Sequence, residues 1–165
     1  MAQIKLRGKT INTTGDLPAT GSPAPSFTLT AADLTEKSLY DFRGKRIVLN
    51  IFTSLDTSPC ATSVRRFNEE AGSRDNVVVA CISADLPFAA GRFCAAEGLE
   101  NVVTLSTFRD PNFGNDYGVR IVDGPLAGLM TRAVVVIDEE GQVVYTELVA
   151  EHSREPNYEA ALGHL

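Results

Sequence analysis

A chain of 165 residues with 44% apolar and 22% charged content has room for one domain with a full core. Its composition is that of an ordinary soluble globule. The formal charge of −6 excludes a general nucleic-acid binder, which needs a basic stripe to neutralise phosphates. No basic amphipathic segment marks a membrane surface, and no apolar run is long enough to cross a bilayer.

Taken in chain order, Ile4 and Leu6 alternate with polar residues, turn at Gly8 and resume at Thr10–Thr13, which reads as a small hairpin. The following "LPATGSPAPSFTLTAADL" is rich in Gly, Pro and Ser and reads as mostly extended loop. "KSLYDFRGK" reads as a connector with a turn at Gly44. Ile47–Phe52 is a near-continuous apolar run, the signature of a strand buried on both faces. From Pro59 to Ala71, apolar residues at 60, 64, 67 and 71 trace one face of a helix.

Val77–Ile82 reads as a second buried strand. Pro87–Glu97 reads as a helix stopped by Gly98. Val102–Leu105 is a short strand, and Asp110-Pro111 opens a short helix closed by Gly118. "GPLAGLM" is a loop. Ala133–Ile137 is a third buried strand, which "DEEGQ" turns into a returning strand over Gln142–Val149. Pro156–Leu165 reads as an amphipathic helix. Strands joined by helical crossovers pair in parallel, and the closing hairpin must be antiparallel. The expected fold is α/β: a central mixed sheet flanked by helices, with an N-terminal β-hairpin, in a single thioredoxin-like domain over residues 1–165.

The N-terminus has no apolar stretch of the secretory type, and the three cysteines are an odd number, so a reducing, cytoplasmic setting is expected. Cys60, Cys81 and Cys94 are too far apart for a metal knuckle, and His152 and His164 follow no ligand pattern; no metal is expected. The histidines read as surface or core-edge residues.

Cys60 is the candidate reactive residue. Ser58 reads as an N-cap and Pro59 as the first helical residue, which places Cys60 in the first turn. Unpaired amides and the helix dipole there favour an anion, and a thiolate is the nucleophilic form of cysteine. Thr57, three residues earlier, can aim its hydroxyl at the same place. Its position in the 60/64/67/71 stripe equally suits Cys60 to a core role. Cys94, in the next helix, is either core filler or a second thiol able to capture an oxidised Cys60. Cys81, inside a buried strand, is expected to be inert. The positive charge an activated thiol needs has several candidates: Arg132 at the mouth of a buried strand, Arg65, Arg92 and Arg109.

Several long motifs, in order, make the chain resemble the thiol peroxidase subfamily of the peroxiredoxins, close to its actinobacterial members: "GSPAPSFTLT", "DTSPCATSVRRFNEEA", "CISADLPFAAGRFCAAEGLENVVTLSTFRD", "YGVRIVDGPLAGLMTRAVVVID" and "EPNYEAALG". The resemblance implies an atypical two-cysteine peroxidase. Cys60 aligns with the peroxidatic cysteine and becomes a sulfenic acid on attacking a hydroperoxide. Cys94 aligns with the resolving cysteine, which closes an intrachain disulfide that a thioredoxin-type reductant reopens. The site threonine maps to Thr57 and the site arginine to Arg132. The resemblance also implies a homodimer with no metal, haem or flavin, and hydrogen peroxide and organic hydroperoxides as substrates.

Two positions depart from that pattern. Thr53 stands where the family has a proline in Pro-x-x-x-Thr-x-x-Cys, and is expected to make the pocket wetter. Pro59 lacks the backbone N–H that the family uses beside the cysteine. The competing readings are a redox sensor or partner-binding module with a weakened site, and a general thiol–disulfide oxidoreductase. The second is disfavoured because Thr57 occupies the place of the first cysteine of a CxxC pair. Bonding of Cys60 to Cys94 requires a helix end to unwind, and the segment around Gly91 is the expected place.

Overall fold

Strand β5 (Arg46–Ile51) sets the architecture. Its alternate side chains serve two cores: Ile47, Leu49 and Ile51 point into one cluster, and Val48 into the other. A strand with apolar residues on both faces can only be central. In the computed structural model, which describes residues 1–165, β5 pairs in parallel with β6 (Val77–Ser83), and β6 with β7 (Val103–Ser106). On its other side β5 pairs antiparallel with β8 (Ala133–Ile137), which turns back into β9 (Val143–Leu148). The mixed sheet thus has the parallel strands and closing hairpin the sequence implies.

Two further strands correct the sequence reading. Thr28–Ala31 forms β3 and Glu36–Ser38 forms β4, inside segments expected to be loop and connector. They complete a seven-stranded sheet in the order β4-β3-β7-β6-β5-β8-β9. Leu39–Phe42 follows as a single 3-10 turn, and Gly44 takes the positive φ that its turn requires.

Helices α1 (Ser58–Gly72), α2 (Pro87–Glu97) and α4 (Tyr158–Leu162) cover one face, and α3 (Asn112–Asp116) the other. The 60/64/67/71 stripe of α1 is buried along its length. Burial of one such large side chain, Phe67, contributes about 1.5–3 kcal/mol. Gly98 ends α2 in the left-handed conformation, as expected. Helix α4 is shorter than Pro156–Leu165, because Asn157 caps it by accepting from the Ala160 amide. No helix is long and apolar enough to cross a membrane.

The N-terminal hairpin, β1 (Gln3–Leu6) and β2 (Lys9–Asn12), lies outside the main sheet. It is fastened to the segment after β9: the Lys5 amide donates to Ala150, and the His152 amide donates to Lys5. This fastening reaches the functional site.

Candidate active site

In parallel α/β sheets the strand ends that feed helices gather loops on one edge, and ligands bind there. Here the loop after β5 carries Thr53–Thr57 into α1, and the loop after β6 carries Asp85 into α2. Helix α1 starts one residue earlier than expected: Thr57 is the N-cap and Ser58 the first helical residue. Cys60 still falls in the first turn, completely buried. Its amide has no acceptor within the chain, as first-turn amides do not, and Pro59 has no amide to offer.

Arg132 is the cation that reaches Cys60. Its Nη1 donates to the sulfur at 3.2 Å and its Nη2 to the His152 carbonyl at 3.1 Å. The side chain does not snorkel to solvent; it is 0% exposed. It makes no ion pair with any carboxylate, and its Nε has no partner. A buried guanidinium without a counter-ion is costly, and the Cys60 sulfur is the one ionisable side-chain atom it hydrogen-bonds. The other three arginines are elsewhere: Arg65 pairs with Glu97 and Arg109 with Glu36, while Arg92 is exposed.

Thr57 donates its hydroxyl to the Ser54 carbonyl at 2.9 Å rather than to the sulfur, which leaves the oxygen free to accept. Thr53 is buried, and its hydroxyl donates to the Met130 carbonyl at 2.9 Å. That bond consumes the polar group expected to wet the pocket.

A chain of polar groups behind Cys60 was not visible in the sequence. Ser63 donates to the Cys60 carbonyl at 2.7 Å, and Asn50, inside β5, donates to Ser63 at 3.1 Å. The one trace of it in the sequence is a lone Asn in the apolar run Ile47–Phe52. His152 was also undervalued. Burial, then the Arg132 guanidinium, push its imidazole below the usual range, against the opposing pull of Glu151. Its Nδ1 is buried without a partner. It lines a cavity of about 510 Å³ together with Leu6, Thr57, Pro59 and Leu126.

The remaining thiols differ sharply. Cys81 is buried in β6, and burial pushes it up to about 12, with the Asn50 hydrogen bond opposing. Cys94 is half-buried on α2, and that burial raises its pKa. All three cysteines are free, so Cys60 and Cys94 are not joined in this state.

A thioredoxin-like sheet with a buried first-turn cysteine against a guanidinium defines a redoxin-type thiol site, and a family profile described as Redoxin matches residues 19–162. A thiol peroxidase of Mycobacterium tuberculosis is 62% identical over 165 residues, spanning 100% of this chain and 99% of the relative; that of Mycobacterium bovis matches equally. A peroxiredoxin-like protein from Aquifex aeolicus superposes with a TM-score of 0.94 at 36% identity, covering 99% of this chain and 95% of its own. A thiol peroxidase from Chromobacterium violaceum, at 24% identity and a TM-score of 0.88 over 98% and 94% of the two chains, shares the fold. The chain belongs to the thiol peroxidases of the redoxin family and is a peroxiredoxin-type peroxidase.

Proposed function

We propose that the chain reduces hydrogen peroxide and organic hydroperoxides through Cys60, with Arg132 and Thr57 as the polar groups of the site. The observation that carries this reading is the contact between the Cys60 sulfur and a buried guanidinium that pairs with no carboxylate. The reading takes the sulfur as a thiolate and the guanidinium as its counter-ion.

The thiolate attacks the outer oxygen of the hydroperoxide. An S–O bond forms and the O–O bond breaks. The proton of the attacked peroxide oxygen passes to the departing oxygen, which leaves as an alcohol, or as water when the substrate is hydrogen peroxide. The sulfenate left on Cys60 takes a proton from solvent to become the sulfenic acid. Negative charge grows on the departing oxygen, and fixed donors stabilise it. Arg132 offers a planar fork of donors, the free Cys60 amide offers another, and Thr57 has acceptor capacity for the peroxide's proton. The apolar rim at Leu6, Pro125 and Leu126 suits an organic substituent.

Cys94 then attacks the Cys60 sulfenic acid. An S–S bond forms, and the hydroxyl leaves as water with the Cys94 proton. A thioredoxin-type dithiol restores both thiols by exchange. In this reading the chain acts as one domain over 1–165, in the cytoplasm, as a homodimer.

The test is intact mass and peptide mapping after one equivalent of cumene hydroperoxide. Loss of two hydrogens in a Cys60–Cys94 peptide is expected, with Cys60→Ser inactive in peroxide consumption. Undiminished consumption by Cys60→Ser sinks the reading.

A further inference from the structure

Asp85 sits two residues before α2 and is the hub of the loops that precede both cysteine-bearing helices. Its Oδ1 accepts from the Ser54 hydroxyl at 2.7 Å, and its Oδ2 from the Leu55 amide at 2.8 Å and the Ser83 hydroxyl at 2.8 Å. Its own carbonyl accepts from the Ser106 hydroxyl at 2.5 Å. No basic residue pairs with it, so its charge is satisfied entirely by neutral donors. Ser54 extends the clasp: its hydroxyl accepts from the Asp56 amide at 3.1 Å, and its carbonyl accepts from Thr57. One carboxylate therefore ties the loop leading to Cys60 to the turn leading to Cys94.

We propose that Asp85 is a positioning residue that sets how oxidised Cys60 divides between disulfide formation and overoxidation. The proposal rests on the reading of Cys94 as the thiol that captures Cys60. Cys60 is fully buried in the first turn of α1, Cys94 lies two turns into α2, and the two are not joined. A disulfide needs its two Cα atoms within about 7 Å, and in this proposal one of the two segments shifts when the bond forms. Both segments run outward from the clasp, and displacement of either pulls on its charge-assisted hydrogen bonds. While the clasp holds, loop 54–57 keeps Thr57 and Cys60 in the arrangement that meets peroxide, and the sulfenic acid persists. A persisting sulfenic acid has two fates. Attack by Cys94 gives the disulfide and water; attack on a second hydroperoxide gives sulfinic acid and an alcohol or water. Loosening the clasp favours the first fate and weakens the site for initial oxidation.

The experiment is rapid-quench mass spectrometry of Asp85→Asn and wild type across a range of cumene hydroperoxide concentrations, following sulfenic acid, disulfide and sulfinic acid separately. An amide in place of the carboxylate removes the charge behind these hydrogen bonds and turns the acceptor facing the Ser54 hydroxyl into a donor, so that hydroxyl has to reverse its role. The expected result is disulfide formation faster by on the order of tenfold, the factor supplied by one charge-assisted hydrogen bond. Less sulfinic acid at high peroxide and slower first oxidation are expected with it. Ser54→Ala, which cuts one arm and leaves the carboxylate bonded to Leu55 and Ser83, should move the same quantities less, and Ser54→Thr should restore them. Should Asp85→Asn not fold, the Ser54 pair decides. Disulfide formation that is unchanged or slower in these variants overturns the proposal. Absence of a Cys60–Cys94 disulfide in wild type overturns its premise instead, and the two failures are distinguishable in the same data.

Discussion

Cys60 and Cys94 lie on helices packed against the same sheet face, yet the two are held very differently. Helix α1 buries Cys60, Ala61, Ser63, Val64, Phe67, Asn68 and Ala71, whereas α2 buries only Pro87 and Ala90. Phe88, the second residue of α2, is 69% exposed. What joins α2 to α1 on the surface is the Arg65–Glu97 pair and Arg65 over the Phe93 ring. An exposed ion pair contributes about 0–1 kcal/mol. Segments with few buried contacts open at low free-energy cost. The comparison assigns the two sulfurs different physical tasks: α1 is built to hold a reactive atom still, and α2 is the helix able to give way.

The largest expected effect falls on the rigid side. Arg132→Gln removes the only cation from Cys60 while keeping a side chain that can hydrogen-bond. Single-turnover oxidation, followed by stopped flow, should slow by about 10²–10³-fold, the range for losing one donor to a developing oxyanion. A rate within a factor of three of wild type would remove the guanidinium from the chemistry and erase the contrast between the two sites.

Next comes pH. Half-burial raises the pKa of Cys94, so near neutrality it is a protonated, poor nucleophile. Disulfide formation should therefore speed up about tenfold per pH unit. It should still be rising where an ordinary thiol, at about 8.5, has levelled off. Rapid quench from pH 6 to 9.5 measures this; a rate flat across that window would mean that Cys94 ionisation does not limit the step.

A smaller effect concerns the flexibility of α2. Gly91 has ordinary helical φ, and a Cβ there meets only Ala32 Cβ at 3.8 Å, an ordinary contact. Gly91→Ala therefore fits the folded helix and strengthens it by about 1 kcal/mol. Disulfide formation should slow by up to about fivefold, with first oxidation unchanged. Equal slowing of both steps would show that α1 and α2 move as one piece.

Much of the fold was legible because long apolar periods dominate it. Ile47–Phe52, Val77–Ile82 and Ala133–Ile137 each announce a buried strand, and the stripe from Cys60 to Ala71 announces α1. Strands β3 and β4 were not legible, because Thr28–Ala31 and Glu36–Ser38 are edge pieces of four and three residues among turn formers. They pair with each other, and β3 joins the main sheet only through β7, far away in sequence. At the site, local spacing placed Cys60 in a first turn. It could not choose Arg132 among four arginines, since that choice depends on β8 running antiparallel beside β5. Asp85 and the contact of His152 with Arg132 were hidden for the same reason: each depends on partners distant in sequence. Thr53 misled in the other direction, because its hydroxyl finds a carbonyl, that of Met130, that no local pattern reveals.

The smallest predicted effect returns to the first turn of α1, where the helix start offers amides to the substrate. Pro59 sits at the second helical position, where its missing N–H removes one donor from that set. The residue is half-buried at the cavity mouth, so water competes for any donor restored there. The gain from Pro59→Ala should thus lie at the low end for a neutral hydrogen bond, about 0.5 kcal/mol, or roughly a twofold faster oxidation of Cys60. The substitution also frees the backbone of the helix start, which works against the gain. Stopped-flow rates with hydrogen peroxide and with cumene hydroperoxide separate the two contributions, since an added amide aids both substrates alike. Oxidation equal to or slower than wild type with both would mean that stiffness at the helix start outweighs the donor it costs.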